Sequence, residues 1–204
     1  MNIKNSENDL KISFKAFKKK VLKDYQLAVL SRECSLLGRR EVFSGKGKFG
    51  IFGDGKELPQ LVMNHFFQNG DYRSGYYRDQ TLLMAQGLLS ISNIFAALYA
   101  DLDLSREPMS GGRQMGGHFT TASRDKNGKW LEVVKLKNHS ADVSPTGSQM
   151  PRLLGLALAS KIYRSYSTKN QKKFSNNGNE IAWGTIGNAS TSEGMFFETI
   201  NAAG

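Results

Sequence analysis

A single cysteine, Cys34, among 204 residues excludes an intrachain disulfide and fits a reducing compartment, so the chain is expected to be cytoplasmic. Four prolines against 21 glycines exclude a proline-rich linker and point to many tight turns. No apolar run reaches the ~20 residues of a membrane-spanning helix, and there is no secretory apolar region. The first residues are Lys-rich but carry Glu7 and Asp9 and no early arginine, unlike a mitochondrial presequence. Acids are the scarce charge: 18 Asp and Glu face 28 Lys and Arg, a net charge of +10. Such a balance suits nucleic acid, an acidic partner or a phosphorylated ligand. The excess is uneven, with Lys15, Lys18, Lys19, Lys20 and Lys23 in one cluster and Lys169, Lys172 and Lys173 in another, and both read as solvated faces. What is present, 39% apolar and 10% aromatic residues, suffices for one domain with a real core.

Residues 1–11 are polar and are expected to fray. Over 13–37, Phe14, Phe17, Val21, Leu22, Tyr25, Leu27, Ala28, Val29 and Leu30 approximate a helical stripe opposed by lysines, with Gly38 as its stop. The glycine-rich stretch 44–55 looks like a phosphate cradle but lacks the Gly-Lys-Ser/Thr ending of a P-loop, so it reads as a turn-rich connection. A helix is expected over 57–68, with Leu58, Leu61, Val62, His65 and Phe66 on one face. A strand or turn follows at 71–77, then helix over 82–100, broken near Gly87 and restarted at Ser90. Gly111, Gly112, Gly116 and Gly117 make a loop whose backbone could approach a ligand closely. A strand is expected at 130–136, with His139 in a loop beyond it. A hydroxyl-rich turn at 144–149 precedes an apolar helix over 151–163, opened by Pro151, where Gly155 and Ala159 would admit a close neighbour. The polar stretch 165–180 reads as an exposed loop and 181–186 as a short buried strand. Ser190-x-x-Glu193 has the form of a capping box for a last helix with Met195, Phe196, Phe197 and Ile200. Mixed helices and short apolar strands, without internal repeats, predict an α/β layer fold with ligands beyond the carboxyl ends of strands.

Four segments carry the chemistry. They are Tyr76-Tyr77-Arg78, Gly112-Arg113-Gln114-Met115-x-x-His118, Ser144-Pro145-Thr146-Gly147-Ser148-Gln149, and Gly187-Asn188-Ala189 through Glu193-Gly194. In the last, an apolar stretch ends in a glycine turn before a helix, where backbone N–H groups and a small oxygen-bearing side chain can face a phosphorylated ligand and its metal. In order and spacing, the four together resemble the thiamin diphosphate-binding, alpha-type part of the 2-oxo acid dehydrogenases, from about Tyr25 to the last residue. The Gly-Arg-Gln-Met loop and the Ser-Glu-Gly at 192–194 are most like the branched-chain (2-oxoisovalerate) type.

The resemblance implies a thiamin diphosphate-binding α/β fold with a largely parallel sheet flanked by helices. Residues 1–24 would form a basic N-terminal helix or arm, and 25–204 the N-terminal part of the cofactor domain. It implies an oxidoreductase that decarboxylates a 2-oxo acid and passes the acyl group to a lipoyl disulfide. Tyr77 and Arg78 match the diphosphate-binding pair, a guanidinium forking onto phosphate oxygens beside a neutral phenol donor. Ser144 and Thr146 match the lining of the cofactor rings, with Thr146 replacing a typically apolar side chain. Gly187, Ala189 and Ser190 match the turn whose N–H groups meet the diphosphate. Asn188 stands where the family has the aspartate that binds Mg2+, and offers an uncharged oxygen instead. Ser148 and Gln149 match ligands of a structural K+. His118 matches a histidine facing the substrate channel, suited to hydrogen-bond an anionic 2-oxo acid or to carry a proton, and is the candidate catalytic residue.

The implied partners are a beta-type transketolase-like domain or subunit, which supplies the glutamate that activates the cofactor, and a lipoyl-bearing acyltransferase, within a dimer or heterotetramer. The family's second metal ligand would fall beyond Gly204, so the sequence is expected to be a C-terminally truncated piece, inactive alone. Three other readings stand beside this one: pyruvate or 2-oxoglutarate as substrate, a non-catalytic remnant that docks onto a partner, and a basic nucleic-acid module. The last would use Tyr72-Arg73 and Tyr76-Tyr77-Arg78, unaccompanied by an RRM, KH or zinc pattern.

Overall fold

The structure is a computed structural model describing residues 12–114, 116–166 and 171–204; the polar start at 1–11, Met115 and Lys169 lie outside the described residues. Helix α1, Phe14–Phe43, opens on Ser13, whose Oγ accepts the Ala16 N–H at 3.2 Å. It runs straight through Gly38, the expected stop. That glycine is buried under the Phe52 ring, which a Cβ would strike, so it serves a close approach instead of a termination. Only the second half of α1 is covered. Ser31, Cys34, Ser35 and Gly38 are buried, while Phe14, Phe17, Val21 and Tyr25 of the expected stripe are exposed. Burial, with Glu33 adding to it, pushes the Cys34 thiol pKa up, which makes it a poor nucleophile. Among the described residues no helix is long and apolar enough to cross a membrane.

Helix α2, Glu57–Phe66, forms where periodicity places it, but of the expected face Leu61 is buried while Leu58, Val62 and Phe66 are exposed, and the polar Glu57 and Gln60 are buried beside it. Helices α3, Gln80–Ala85, and α4, Ile91–Leu98, flank the expected break, with Gly87 at φ +71° and Ser90 and Asn93 closing a capping box. The α1–α3 contact is polar, with Gln80 Nε2 donating to Ser31 O at 3.0 Å and to Ser35 Oγ at 2.7 Å. Leu83, Leu89, Ile94 and Phe119 form an apolar cluster beside it.

Three short parallel strands complete the α/β arrangement: β1, Tyr72–Ser74, β2, Asn138–His139, and β3, Ala182–Gly184, in the order β2-β1-β3. Arg73 on the central strand lies opposite both His139 and Trp183. The strand expected at 130–136 is replaced by a bridge between Arg124 and Trp130 and a 3-10 turn at Val133–Lys135. Arg124 stacks on Trp130 at 3.8 Å, and Asn138 Nδ2 donates to the carbonyls of Val133 and Leu136, which curls this segment. His139 is therefore a buried strand residue, not a loop histidine.

Helix α5, Gln149–Ser165, has Pro151 in its first turn and lies along β1 and β3, with Leu153 close against Gly184. β3 itself is half-buried, less covered than expected. Gly155 is exposed with open space around it, so no helix of the described chain uses the Gly155–Ala159 face at that point. The stretch read as loop contains helix α6, Gln171–Phe174. Glu180 then pins the chain by accepting from Ser160 Oγ at 2.9 Å, Ser175 Oγ at 2.7 Å and Asn176 N at 3.0 Å. Helix α7, Gly194–Ala203, packs on α5. The capping box at 190–193 does not form, because residues Ala189–Ser192 coil into a 3-10 turn and α7 starts after Glu193 without a side-chain cap.

Arg73, fully buried, binds the layers together. Its Nη2 donates to Asp142 at 2.6 Å, its Nη1 to Asp79, and its Nε to His139 Nδ1 at 2.9 Å. A guanidinium only donates, so Nδ1 must be the acceptor and the neutral ring carries its proton on Nε2, which meets Gln86 Oε1 at 2.5 Å. Gly75 permits this, since a Cβ there would collide with both Arg73 and Asp79. Burial opposes the Arg73 charge, but Asp142 and Asp79 outweigh it and hold the pKa above its usual value. Burial pushes Asp142 up to about 6 against the pull of Arg73, and burial with the Arg73 charge pushes His139 down to about 2.

Arg73→Met should cost about 3–5 kcal/mol in urea unfolding, because two buried carboxylates lose their counter-charge. The titrations oppose one another. His139 has a depressed folded pKa, so its contribution is whole above 6.5 and is lost as pH falls below that value. Asp142 has a raised one, so its contribution is whole below 3.8 and is lost as pH rises through about 6. His139→Gln removes only the first, so its stability deficit against the parent should shrink between pH 6.5 and 4, by about 1.4 kcal/mol per pH unit at most. Paired urea titrations at several pH values check this.

Candidate functional site

Residues 76–79 continue from the carboxyl end of β1 and 185–188 from that of β3, the kind of crevice in which parallel sheets hold ligands. Two glycine-rich loops clamp the backbone between them. Gly53 sits where a Cβ would stand 2.5 Å from Arg78 O, and Gln60 Nε2 donates to that same oxygen at 2.9 Å. Gly117, at φ +90°, brings its Cβ position to 3.1 Å from Tyr77 O. Asp79 accepts from the Tyr76 N–H at 3.3 Å and from the Thr185 hydroxyl, so one carboxylate ties the β1 loop to the β3 loop.

The outcome is a cleft of about 170 Å³ lined by Lys56, Tyr76, Tyr77, Arg78, Thr146 and residues 187–190. It gathers Tyr77, Arg78, Thr146, Gly187, Asn188, Ala189 and Ser190 from three of the four sequence segments. A second compartment of about 430 Å³ shares Lys56 and Tyr76 and adds Met63, Trp183, Thr185 and Ile186 among its walls. A small cationic pocket opening beside a larger, more apolar one suits a ligand with an anionic head and a ring-bearing body. Lys56 and Arg78 share the smaller pocket with no carboxylate in its wall. Burial, then Asp79, pushes the Tyr76 phenol up to about 12, so it remains a neutral donor.

The other expected residues are placed differently. His118 Nε2 lies 2.7 Å from Ser144 Oγ, and its ring stands 6.0 Å from that of Tyr77, so His118 and Ser144 form a pair beside the cleft, outside its wall. Ser148 Oγ donates to Pro145 O at 2.8 Å. Gln149 is buried and donates from Nε2 to Thr185 O at 2.9 Å, while its carbonyl accepts from Ser74 Oγ at 2.8 Å. Ser148 thus closes the local turn before α5, and Gln149 ties α5 to β1 through its main-chain carbonyl and to the residue after β3 through its side chain. The Ser190 N–H, expected to face the diphosphate, donates to Gly187 O at 3.0 Å, which leaves its hydroxyl as the group beside the cleft. Of the glycines of 111–117, Gly117 makes the close approach to Tyr77 O and Gly112 one to Ala100. Burial would raise the Glu107 carboxyl, but hydrogen bonds from Gly112, Ser110 and Met109 outweigh it and hold the pKa below its usual value.

The donor set fits a diphosphate, with two cations, phenols, a hydroxyl and turn backbone around one pocket. It does not fit a hard divalent cation in the same way. Asn188 brings no charge, and no group of three or more His, Cys, Asp or Glu that could hold a metal occurs among the described residues. Tyr76 lies in the expected Tyr76-Tyr77-Arg78 segment, whereas Lys56 is a residue that the sequence reading does not single out. The one signal for Lys56 was its place after Gly53-Asp54-Gly55 and before a helix, in a loop dismissed for lacking a P-loop ending. The aromatic-basic platform needed for nucleic acid is not at the surface, since Arg73 is fully buried and Tyr76 is 8% exposed.

The 2-oxoisovalerate dehydrogenase subunit alpha of Bacillus subtilis (strain 168) is 30% identical over 161 residues, which cover 78% of this chain and 40% of that protein. The chain thus spans less than half the length of the curated relative it matches. The family model described as the dehydrogenase E1 component matches residues 25–204, the same stretch that builds the cleft and the sheet beneath it. By that match, the chain belongs to the dehydrogenase E1 component family.

Proposed function

We propose that this chain is the diphosphate-holding part of a thiamin diphosphate-dependent 2-oxo acid dehydrogenase, which decarboxylates its substrate and passes the acyl group to a lipoyl disulfide. The observation that carries this reading is the one cleft shared by Tyr77, Arg78, Thr146 and residues 187–190, which has Lys56 and Tyr76 as walls in common with the larger compartment beside β3. When bound, thiamin diphosphate supplies the electron sink for loss of carbon dioxide. The chain's own residues hold and orient. Arg78 offers a planar fork to phosphate oxygens, and Tyr77 and Tyr76 add neutral donors. Trp183, Met63 and Ile186 give the neighbouring compartment apolar walls against which a ring system can pack. His118 is the residue assigned in this reading to hydrogen-bond the substrate carboxylate, which its pairing with Ser144 and its ring contact with Tyr77 beside the cleft support.

In this reading, residues from about 25 onward belong to a thiamin diphosphate-binding fold, and 1–24 lead into it as a basic arm. Branched-chain 2-oxo acids are the proposed substrates, on the likeness to the Bacillus subtilis relative. Pyruvate and 2-oxoglutarate are the alternatives. A transketolase-like domain or subunit supplies the activating glutamate, and a lipoyl-bearing acyltransferase takes the product.

Arg78→Ala should weaken thiamin diphosphate binding by about 10- to 100-fold in calorimetric titration of the intact protein. His118→Asn should leave that affinity unchanged and lower kcat/KM for the 2-oxo acid by about 100-fold or more. Binding that ignores Arg78 would remove the diphosphate assignment. For substrate choice, kcat/KM with 3-methyl-2-oxobutanoate should exceed that with pyruvate; the reverse order moves the proposal to the alternative acid.

A further inference from the structure

The charges around the cleft are sorted in a way that singles out Lys56. Acidic residues flank it on both sides in sequence, yet both turn away. Asp54 pairs with Arg39 of α1 at 2.5 Å. Glu57 accepts the Gly55 N–H at 2.9 Å and lies 3.7 Å from Arg32 of α1. Lys56 is held between them as the residue that opens α2, its N–H donating to Gly53 O at 3.1 Å. Its side chain is half-buried and forms a wall of both compartments. Among the described residues neither the Lys56 ammonium nor the Arg78 guanidinium has an ion-pair or hydrogen-bond partner. The nearby Asp79 is already held by Arg73, Thr185 and the Tyr76 N–H. Two uncompensated cations in one pocket repel each other and any third cation, and both effects reverse when a polyanion enters.

Asn188 completes the pattern. A carboxylate there would attract a divalent cation and repel a diphosphate, whereas an amide offers a metal only an uncharged oxygen and does not repel the diphosphate. We propose that Lys56, with Arg78, neutralises the diphosphate directly in this chain, so that its cleft binds the diphosphate group without requiring a divalent metal at position 188. This rests on the thiamin diphosphate reading above and narrows it to how the charge is met. Lys56 is a binding residue here, compact and flexible enough to reach the phosphate oxygens that Arg78 leaves open.

The experiment is calorimetric titration of the intact protein with thiamin diphosphate and, separately, with inorganic pyrophosphate, each in EDTA and in Mg2+. The parent should bind both ligands in EDTA, with affinity changing little when Mg2+ is added. Lys56→Gln should weaken binding in EDTA by about tenfold or more without lowering the melting temperature of the ligand-free protein, since this side chain has no partner to lose. Asn188→Asp should weaken binding in EDTA and make it recover with Mg2+. The inference is overturned if the parent binds only with Mg2+, or if Lys56→Gln binds as the parent does; Mg2+-dependent binding of thiamin diphosphate would still leave the functional reading intact. If pyrophosphate binds in EDTA through Lys56 but thiamin diphosphate binds in neither buffer, the anion site stands and the thiamin reading falls. Binding of neither ligand in either buffer removes both.

Discussion

The site depends on a guanidinium that has no access to water. Arg73 sits on the central strand, fully buried, and can exist there as a cation only because Asp79 and Asp142 face it. Bringing three charges out of water is costly, and their attraction offsets that cost only while every partner stays in place. Each partner is in turn committed to another part of the chain. Asp79 holds the Tyr76 N–H and the Thr185 hydroxyl, Asp142 the Phe119 N–H, and His139 the Gln86 amide. The loops that follow the strands are thus all referenced to one point, and the sheet can be very short and still position its carboxyl-end crevice. Stability of this kind favours one geometry over others more than it adds to the total free energy of folding.

The same arrangement explains the electrostatics of the cleft. The net charge of +10 is a property of the whole surface and says little about any single pocket. The cleft is cationic because the acids near it are engaged elsewhere: Asp79 and Asp142 beneath it with Arg73, Asp54 and Glu57 beside it with arginines of α1. The lysines at the start of α1 lie on an exposed face and are absent from the wall of the cleft. Glycine acts at one remove as well. Gly53 and Gly117 support the Tyr77–Arg78 backbone from two sides, and Gly75 leaves room for the ion pair below.

Much of the chain was legible locally. Gly87 as a break and Ser90 as a restart were readable because each acts on backbone groups within a few residues of itself. The four chemical segments were readable together because their order and spacing match a family, and three of them do meet in one cleft. The misreadings share a cause. The apolar stripes of α1 and α2 were correctly periodic, but which face is covered depends on what packs against it, and α3 meets the polar side of α1. The capping box at Ser190 was sound as a pattern and lost to a 3-10 turn closed by the Ser190 N–H on Gly187 O.

By itself, then, the sequence determined most of the helices, the α/β class, the family and most of the residues around the cleft, since these follow from short-range geometry and from linear spacing. Tertiary structure alone decided the role of Gly38, the burial of His139, and the pairing of Arg73 with acids six and 69 positions away. It also decided that Lys56, a lysine in a glycine loop with acids nearby in sequence, faces the cleft without one. The physical reason is that charge compensation and close packing act through space, between side chains that the order of the residues does not reveal to be neighbours.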